Sequence, residues 1–289
     1  MAGPCFSRVT QTQSASERIR PELERVTTLA GQHVRKLFKS GRFEAHEKRD
    51  HTVVTEADTG CERIVRKELG TRFAGVPVVS EEDEARPDLR SLEEFFLVDP
   101  IDGTWNFAAG IPVFFVSVAY LQGGVPRAGV MYNPISGQLL SAAEGAGAVQ
   151  SSDPSLAQAS HRETRRAVRL RTAPYRPLSE CQVHRHDRRL DARVATRILE
   201  RIVLKARGVR DLGSTTAEMA LIASGVSDAL VGYYVANWDV AAAALILKEA
   251  GGVVTNLDGT PIAFTTSEKF SICAAGNLQL HQEILAAIA

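Results

Sequence analysis

The chain has 289 residues, enough for two modest cores, and its 44% hydrophobic and 24% charged content is that of an ordinary globular protein. Lys+Arg and Asp+Glu both number 34, so the formal charge is zero and nothing in the balance asks for nucleic acid as the main partner. No apolar run approaches the roughly 18 residues that span a bilayer, MAGPCFSRVTQTQSASERIR has no apolar signal core, and the widely spaced Cys5, Cys61, Cys181 and Cys273 read as free thiols in a reducing cytoplasm.

Residues 1–15 read as a flexible polar tail. Ser16 to Lys39 predicts a helix, with Leu23, Val26, Leu29, Val34 and Leu37 at helical spacing. A charged loop, SGRFEAHEKRDHT, leads into VVTEAD at 53–58. A second helix, about Thr59 to Phe73, puts Cys61, Ile64, Val65 and Leu69 on one face. VPVVSEEDEARPD is a short strand that breaks into an acidic loop, and 94–98 is a further strand. From Pro112 to Val149 the segments VFFVSVAYL, AGVMYN, GQLLSAA and GAVQ, separated by Gly- or Pro-containing turns, predict an antiparallel meander. Residues 150–166 are polar and weakly patterned, which places a domain boundary between 16–150 and 151–289.

The second half alternates. VRLRTAP predicts a strand, Leu190 to Ala206 a helix, and GVRDLG a short strand. Thr215 and Glu218 form a capping box opening a helix to about Ser224. DALVGYYV is a strand, and Asp239 to Ala250 an Ala-rich helix closed by Gly251 and Gly252. A turn at Asp258–Gly259, a strand at SICAAG and a helix over 278–288 complete the chain. Strands mixed with helices in both halves predict an α/β or α+β fold.

The chemistry concentrates in DPIDGTWNF at 99–107. Asp99 and Asp102 repel each other in water, yet Pro100 stiffens the entry and Gly103 frees the backbone just after, so both carboxylates can point to one side. Two carboxylates forced together share a proton or share a cation. A hard cation such as Mg²⁺ takes oxygen ligands, few of them from protein, and leaves room for water and phosphate. A paired-acid attack on a sugar bond also uses two carboxylates, but across a cleft and not on one turn. Glu81 and Glu82, Asp58 and Asp239 stand at strand ends and helix starts, where they could complete a metal site. Each also has a plain explanation: a solvated acidic loop for 81–83 and a helix cap for Asp239. A helical turn starting at Thr104 would offer amides to a phosphate, and the Thr104 hydroxyl could orient a water. Metal-assisted phosphoester hydrolysis is the natural reaction class.

DPIDGTWNF resembles the first signature of the inositol monophosphatase family, roughly D-P-[ILV]-D-G-[ST]-x-N-F. WDVAAAALILKEAGG at 238–252 resembles the second, W-D-x-A-[AG]…E-A-G-G, and SEE at 80–82 and VVTEAD at 53–58 match two further landmarks in family order. The similarity covers about residues 16–289. It implies a five-layered αβαβα sandwich of the inositol monophosphatase and fructose-1,6-bisphosphatase type. It implies Mg²⁺-dependent hydrolysis of a phosphate monoester with two to three ions per subunit, lithium sensitivity, and a cytoplasmic homodimer with no nucleic-acid or membrane partner. By motif, Glu81, Asp99 and the Ile101 carbonyl hold one ion, and Asp99, Asp102 and Asp239 a second, with a third leaning on Glu81. Asp58 and Thr104 position and deprotonate the attacking water. Asp102 and the amides of Gly103 and Thr104 receive the substrate, Gly213, Ser214 and Thr215 form the substrate-side loop, and Lys48 lies near the site.

The sequence also departs from the family. Inositol-specific members carry a Glu seven residues before the Asp of the W-D motif; here that position is Gly232, and no acid lies between Ala229 and Trp238. Arg162, Arg165, Arg166, Arg169 and Arg171 form a solvated segment or a phosphate-attracting rim suited to a doubly phosphorylated or nucleotide substrate. Cys181, His184 and His186 read as part of an arginine-rich surface loop and not as a zinc site. The expected substrate is inositol monophosphate or a similar small polyol or sugar phosphate. The rivals are a 3′(2′),5′-bisphosphate nucleotide, fructose 1,6-bisphosphate and histidinol phosphate. A non-catalytic binding protein of the same fold is the remaining alternative, and the complete acid set argues against it.

Overall fold

The computed structural model describes residues 14–47, 53–156, 167–187, 192–266 and 269–289. Helix α1 (Ala15–Ser40) starts where the Ser14 side chain accepts from the Glu17 amide while Glu17 reaches back to the Ser14 amide, and stops at Gly41 in the left-handed region. Strands β1 (Ala45–Glu47) and β2 (Val53–Thr55) form a small antiparallel ribbon ahead of α2 (Glu56–Arg72). Then come β3 (Val78–Ser80), β4 (Glu94–Asp102), the short helix α3 (Thr104–Ala108), β5 (Phe115–Gln122), β6 (Val125–Tyr132), β7 (Gln138–Ala143), β8 (Gly147–Ser152) and β9 (Val168–Arg169). The seven strands β3 to β9 form one sheet in sequence order, antiparallel except for the parallel pair β3–β4.

A second, five-stranded sheet follows. It is built from β10 (Gln182–Asp187), β11 (Gly208–Arg210), β12 (Ala229–Val235), β13 (Val253–Asn256) and β14 (Phe270–Ala275), in the order β11-β10-β12-β14-β13. Its helices are α4 (Ala192–Ile198), continued by a π turn over Leu199–Val203, α5 (Thr215–Ala223), α6 (Asn237–Glu249) and α7 (Leu278–Ile288).

Alternation along the strands makes the layers. Phe96 and Val98 of β4 pack with Leu23, Val26, Val65 and Leu69 of α1 and α2, while Phe95 and Leu97 face Met219, Ile222 and Leu245 of α5 and α6. Helices α5 and α6 are covered on their other side by Leu230, Ile272 and Ala274 of the second sheet. Its outer face (Val183, Val231, Cys273) packs on Ile198, Ile202 and Ile284. The result is the expected five-layered αβαβα sandwich. The alanines of α6 have a packing reason: a Cβ on Gly129 of β6 would lie 2.9 Å from the Ala242 Cα, so helix and sheet touch backbone to backbone. Each fully buried Phe or Leu of β4 contributes roughly 1.5–3 kcal/mol, which anchors the strand that carries Asp99.

Several local expectations change. Helix α2 starts at Glu56 and not at Thr59, because Thr55 caps it together with Asp58. VRLRTAP supplies only β9, which joins the first sheet. The capping box at Thr215 is displaced: Ser214 caps α5, its Oγ accepting the Ala217 amide, and Glu218 bonds elsewhere. QVHRHD is not a surface loop but β10, parallel to both β11 and β12, with Cys181 and His184 buried. Its period-2 pattern is masked by its charges, yet Val183 fills one face while His184 faces polar partners on the other. Residues 1–13, Lys48, Arg162, Arg165 and Arg166 lie outside the described residues. Among the described residues no helix is long and apolar enough to cross a membrane, and Cys61, Cys181 and Cys273 are free and buried.

Candidate active site

Parallel pairing of β3 with β4 brings their C-terminal ends together. Ser80 stands opposite Val98, and the Glu81 amide donates to the Val98 carbonyl at 3.1 Å. Glu81 therefore emerges beside Asp99. The loop that carries it is held, not loosely solvated: Asp83 accepts the Ser80 amide at 2.9 Å and pairs with Arg66, which also donates to the Val78 carbonyl.

Asp99 pairs with Ser117 of β5 and Asp102 with Phe115, so the register breaks between the two acids. The bulge re-aims both side chains. Asp99 is 1% exposed, and its Oδ1 accepts the Ile101 amide at 3.0 Å. Gly103 follows at φ 98; a Cβ there would stand 3.0 Å from the Val113 carbonyl oxygen and 3.2 Å from the Ser214 Cβ. Only glycine fits that turn. It opens α3, where the Thr104 hydroxyl donates to the Ile101 carbonyl at 3.0 Å.

Asp239 arrives from the opposite layer in the first turn of α6. Its Oδ2 accepts the Ala236 amide at 2.8 Å, so it caps the helix while presenting a carboxylate. Glu81, Asp99 and Asp239 bring carboxylate oxygens within 4.8 Å of one another. Asp102 stays outside that trio. Its Oδ2 accepts the Ser214 hydroxyl at 2.7 Å and the Thr216 amide at 2.5 Å, which locks α5 onto the DPIDGT turn. Asp58, in the first turn of α2, is fixed at Oδ2 by the Thr55 amide at 2.7 Å and the Thr55 hydroxyl at 2.6 Å. Helix α3 lies against β2, next to that cap.

The electrostatics follow from this crowding. Burial, then Glu81, Asp102, Asp239 and Asp58, push the Asp99 carboxyl well above the usual carboxylate range. Burial and Asp239 raise Asp102 to about 6, against the lowering by Ser214 and Thr216. Hard oxygen donors packed this closely around a buried acid suit a hard divalent cation. Basic groups border the acids: Arg86 donates to the Glu81 carbonyl and lies 4.3 Å from the Trp238 ring centre, with the Lys269 ammonium 4.9 Å from it.

Residues 213–215 lie beside Asp102. Gly213 turns at φ 68, Ser214 binds Asp102, and Thr215 opens α5. Gly232 sits in β12 opposite His186, and a Cβ there would meet the Ile272 Cγ1 at 3.1 Å, so a side chain at that position requires Ile272 to yield slightly. Sequence reasoning missed Asn106, whose Nδ2 donates at 2.7 Å to both the Val113 and the Leu212 carbonyls, tying the motif turn to the substrate loop. Its place inside DPIDGTWNF was the available signal.

A model of the inositol monophosphatase family matches residues 16–289. The chain is 30% identical over 248 residues to a fructose-1,6-bisphosphatase/inositol-1-monophosphatase of Thermotoga maritima, covering 85% of this chain and 86% of that protein. It is 30% identical over 233 residues to an inositol-1-monophosphatase of Bacillus subtilis, covering 80% and 82%. The crystal structure of the extragenic suppressor protein suhB from Bartonella henselae superposes with a TM-score of 0.81 at 27% identity, covering 94% of this chain and 98% of that one. Sequence, architecture and the acids gathered at the ends of β3, β4 and the start of α6 agree, and the chain belongs to the inositol monophosphatase family.

Proposed function

We propose that the chain is a Mg²⁺-dependent phosphomonoesterase acting on inositol monophosphate or a similar small polyol or sugar phosphate. The observation that carries this reading is the meeting of Glu81, Asp99 and Asp239, from three separate elements, within 4.8 Å. On this reading Glu81, Asp99 and the Ile101 carbonyl would hold one ion, Asp99, Asp102 and Asp239 a second, and a third would lean on Glu81. Bound Mg²⁺ supplies acidification of a water and offsets charge on the attacking and leaving oxygens.

The chain's own groups do the rest. Asp58, held rigid by Thr55, accepts the proton of the attacking water. The Thr104 hydroxyl donates to the Ile101 carbonyl, which leaves its oxygen lone pairs to accept from that water and aim it. The amides of Gly103 and Thr104 receive the phosphate. Ser214 fixes Asp102, and with Gly213 and Thr215 it walls the substrate side. Lys48 contributes a cation near the phosphate. Gly232 directs the choice away from substrates held by an acid at that position. The division into 16–150 and 151–289, homodimeric assembly, lithium inhibition and a cytoplasmic location belong to the same reading, on the strength of the family.

The test is phosphate release with Mg²⁺ from inositol 1-phosphate, glycerol 2-phosphate, adenosine 3′,5′-bisphosphate, fructose 1,6-bisphosphate and histidinol phosphate, with Asp99→Asn alongside. A preferred monophosphate, lost in the variant, supports the reading. A preferred bisphosphate or histidinol phosphate moves the protein to another branch of the family. No turnover of any substrate, with Mg²⁺ still bound, overturns it in favour of a non-catalytic protein.

A further inference from the structure

Helix α5 carries a carboxyl for which the chemistry above has no use. Glu218 is 0% exposed, in a setting where a carboxyl is rare. Its Oε1 accepts the Leu212 amide at 2.7 Å, and among the described residues its Oε2 has no hydrogen-bond partner. The nearest basic group is His184, whose Nδ1 lies 3.9 Å from Oε1 and is likewise unpartnered, while its Nε2 lies 3.0 Å from the Ser227 hydroxyl. Two buried polar atoms left without partners are a standing cost.

The return on that cost is control of one peptide. The Leu212 amide is held by Glu218 and its carbonyl by Asn106, both at 2.7 Å. Asn106 also holds Val113, so the clamp is tied to the motif turn. The next residues are Gly213, turned at φ 68 with its Cβ position 3.4 Å from the Asn106 amide group, and Ser214, whose hydroxyl lies 2.7 Å from Asp102 Oδ2. A shift of the Leu212 peptide is passed within two residues to an acid of the site.

We propose that Glu218 is a positioning residue of the active site: by fixing the Leu212 peptide it sets the Gly213–Ser214 turn and, through Ser214, the orientation of Asp102. The inference rests on the phosphatase reading of the acids. Glu218 acts as an acceptor and not as a charge. Burial pushes its carboxyl up to about 9 against the weaker pull of the Leu212 amide, and burial pushes His184 down to about 4, so a neutral acid faces a neutral imidazole. Glutamine keeps the accepting oxygen and can donate towards His184. Aspartate keeps the acid but falls a methylene short of the Leu212 amide.

The full chain is compared as wild type, Glu218→Gln, Glu218→Asp and Glu218→Leu. Mg²⁺ affinity is measured by calorimetry, kcat and KM on the best substrate of the panel, and Tm for each protein. The expected result is a loss of about tenfold in Mg²⁺ affinity and in kcat/KM for Asp and Leu, and recovery to within about threefold of wild type for Gln. A purely structural Glu218 lowers Tm and leaves both quantities within about threefold for every variant that folds; that result overturns the proposal. So does a Gln variant as impaired as Asp. If the Leu variant does not fold, Asp against Gln decides. If the wild type binds Mg²⁺ but turns over nothing, the phosphatase reading fails while the affinity series still judges Glu218.

Discussion

Asp99 and Glu218 are both carboxyls withdrawn from water, at 1% and 0% exposure, and the fold resolves the two in opposite ways. Glu218 meets one backbone amide and a neutral imidazole, with Asp211 and Asp102 as more distant acids, and burial dominates its shift. A lone acid in that setting keeps its proton, and the problem ends there. Asp99 is buried among Glu81, Asp102, Asp239 and Asp58, each of which raises it further. Protonating every member of such a group is costly at neutral pH, and a divalent cation stabilises all of them together. A buried carboxyl is thus informative through its neighbours: one acid alone reads as a hydrogen-bonding device, several converging from different elements read as a cation site.

The strongest way to break this comparison is Asp99→Asn. We expect phosphate release to fall by about 10²–10³-fold or more. At the same time the Tm of the cation-free protein should rise, because one buried like charge is gone. A fall in cation-free Tm would show that Asp99 is not stressed by its neighbours.

A pH series sharpens the contrast. Folded-state values raised above the unfolded ones, for Asp99 and for Asp102 at about 6, mean that the folded chain holds protons the unfolded chain has released. Stability contributed by these groups is complete below the unfolded carboxylate range and is lost as pH rises through the folded values. Cation-free Tm should therefore decline from about pH 4 upward, and saturating Mg²⁺ should remove most of that decline. The part that remains, reaching to about 9, belongs to Glu218 and should disappear in Glu218→Gln. An equal slope with and without Mg²⁺ would count against the cation reading.

The smallest expected effect is on the turn that separates the acids. Gly103→Ala must accept φ 98 and a contact of 3.0 Å with the Val113 carbonyl. The expected cost is about 1–3 kcal/mol in stability, read by chemical denaturation, with a fall in kcat as Thr104 is displaced. A stable and fully active alanine variant would show that the turn tolerates movement.

What the sequence determined by itself is local. Pro100 and Gly103 restrict a turn, Gly251 and Gly252 close α6, and the continuous apolar run VFFVSVAYL selects a strand with two buried faces. These are choices made by a residue and its near neighbours, so they were legible along the chain, and so was the spacing of the acid-bearing motifs. Even locally, the strand before the motif read as ending at Val98, whereas pairing of Asp102 with Phe115 across a bulge carries β4 through both acids. Tertiary structure alone decided the rest. Parallel pairing of β3 with β4 set Glu81 beside Asp99, and backbone contact between Gly129 and Ala242 helped to seat α6 and its Asp239 against the first sheet. The charged QVHRHD became an inner strand because its partners, β11 and β12, lie about 25 to 50 residues away. Glu218 passed for half of a capping box until Ser214, engaged by Asp102, took the cap and left the carboxyl to Leu212. Burial and pairing depend on which distant segments meet, and that is settled by packing of whole layers and not by any stretch of sequence.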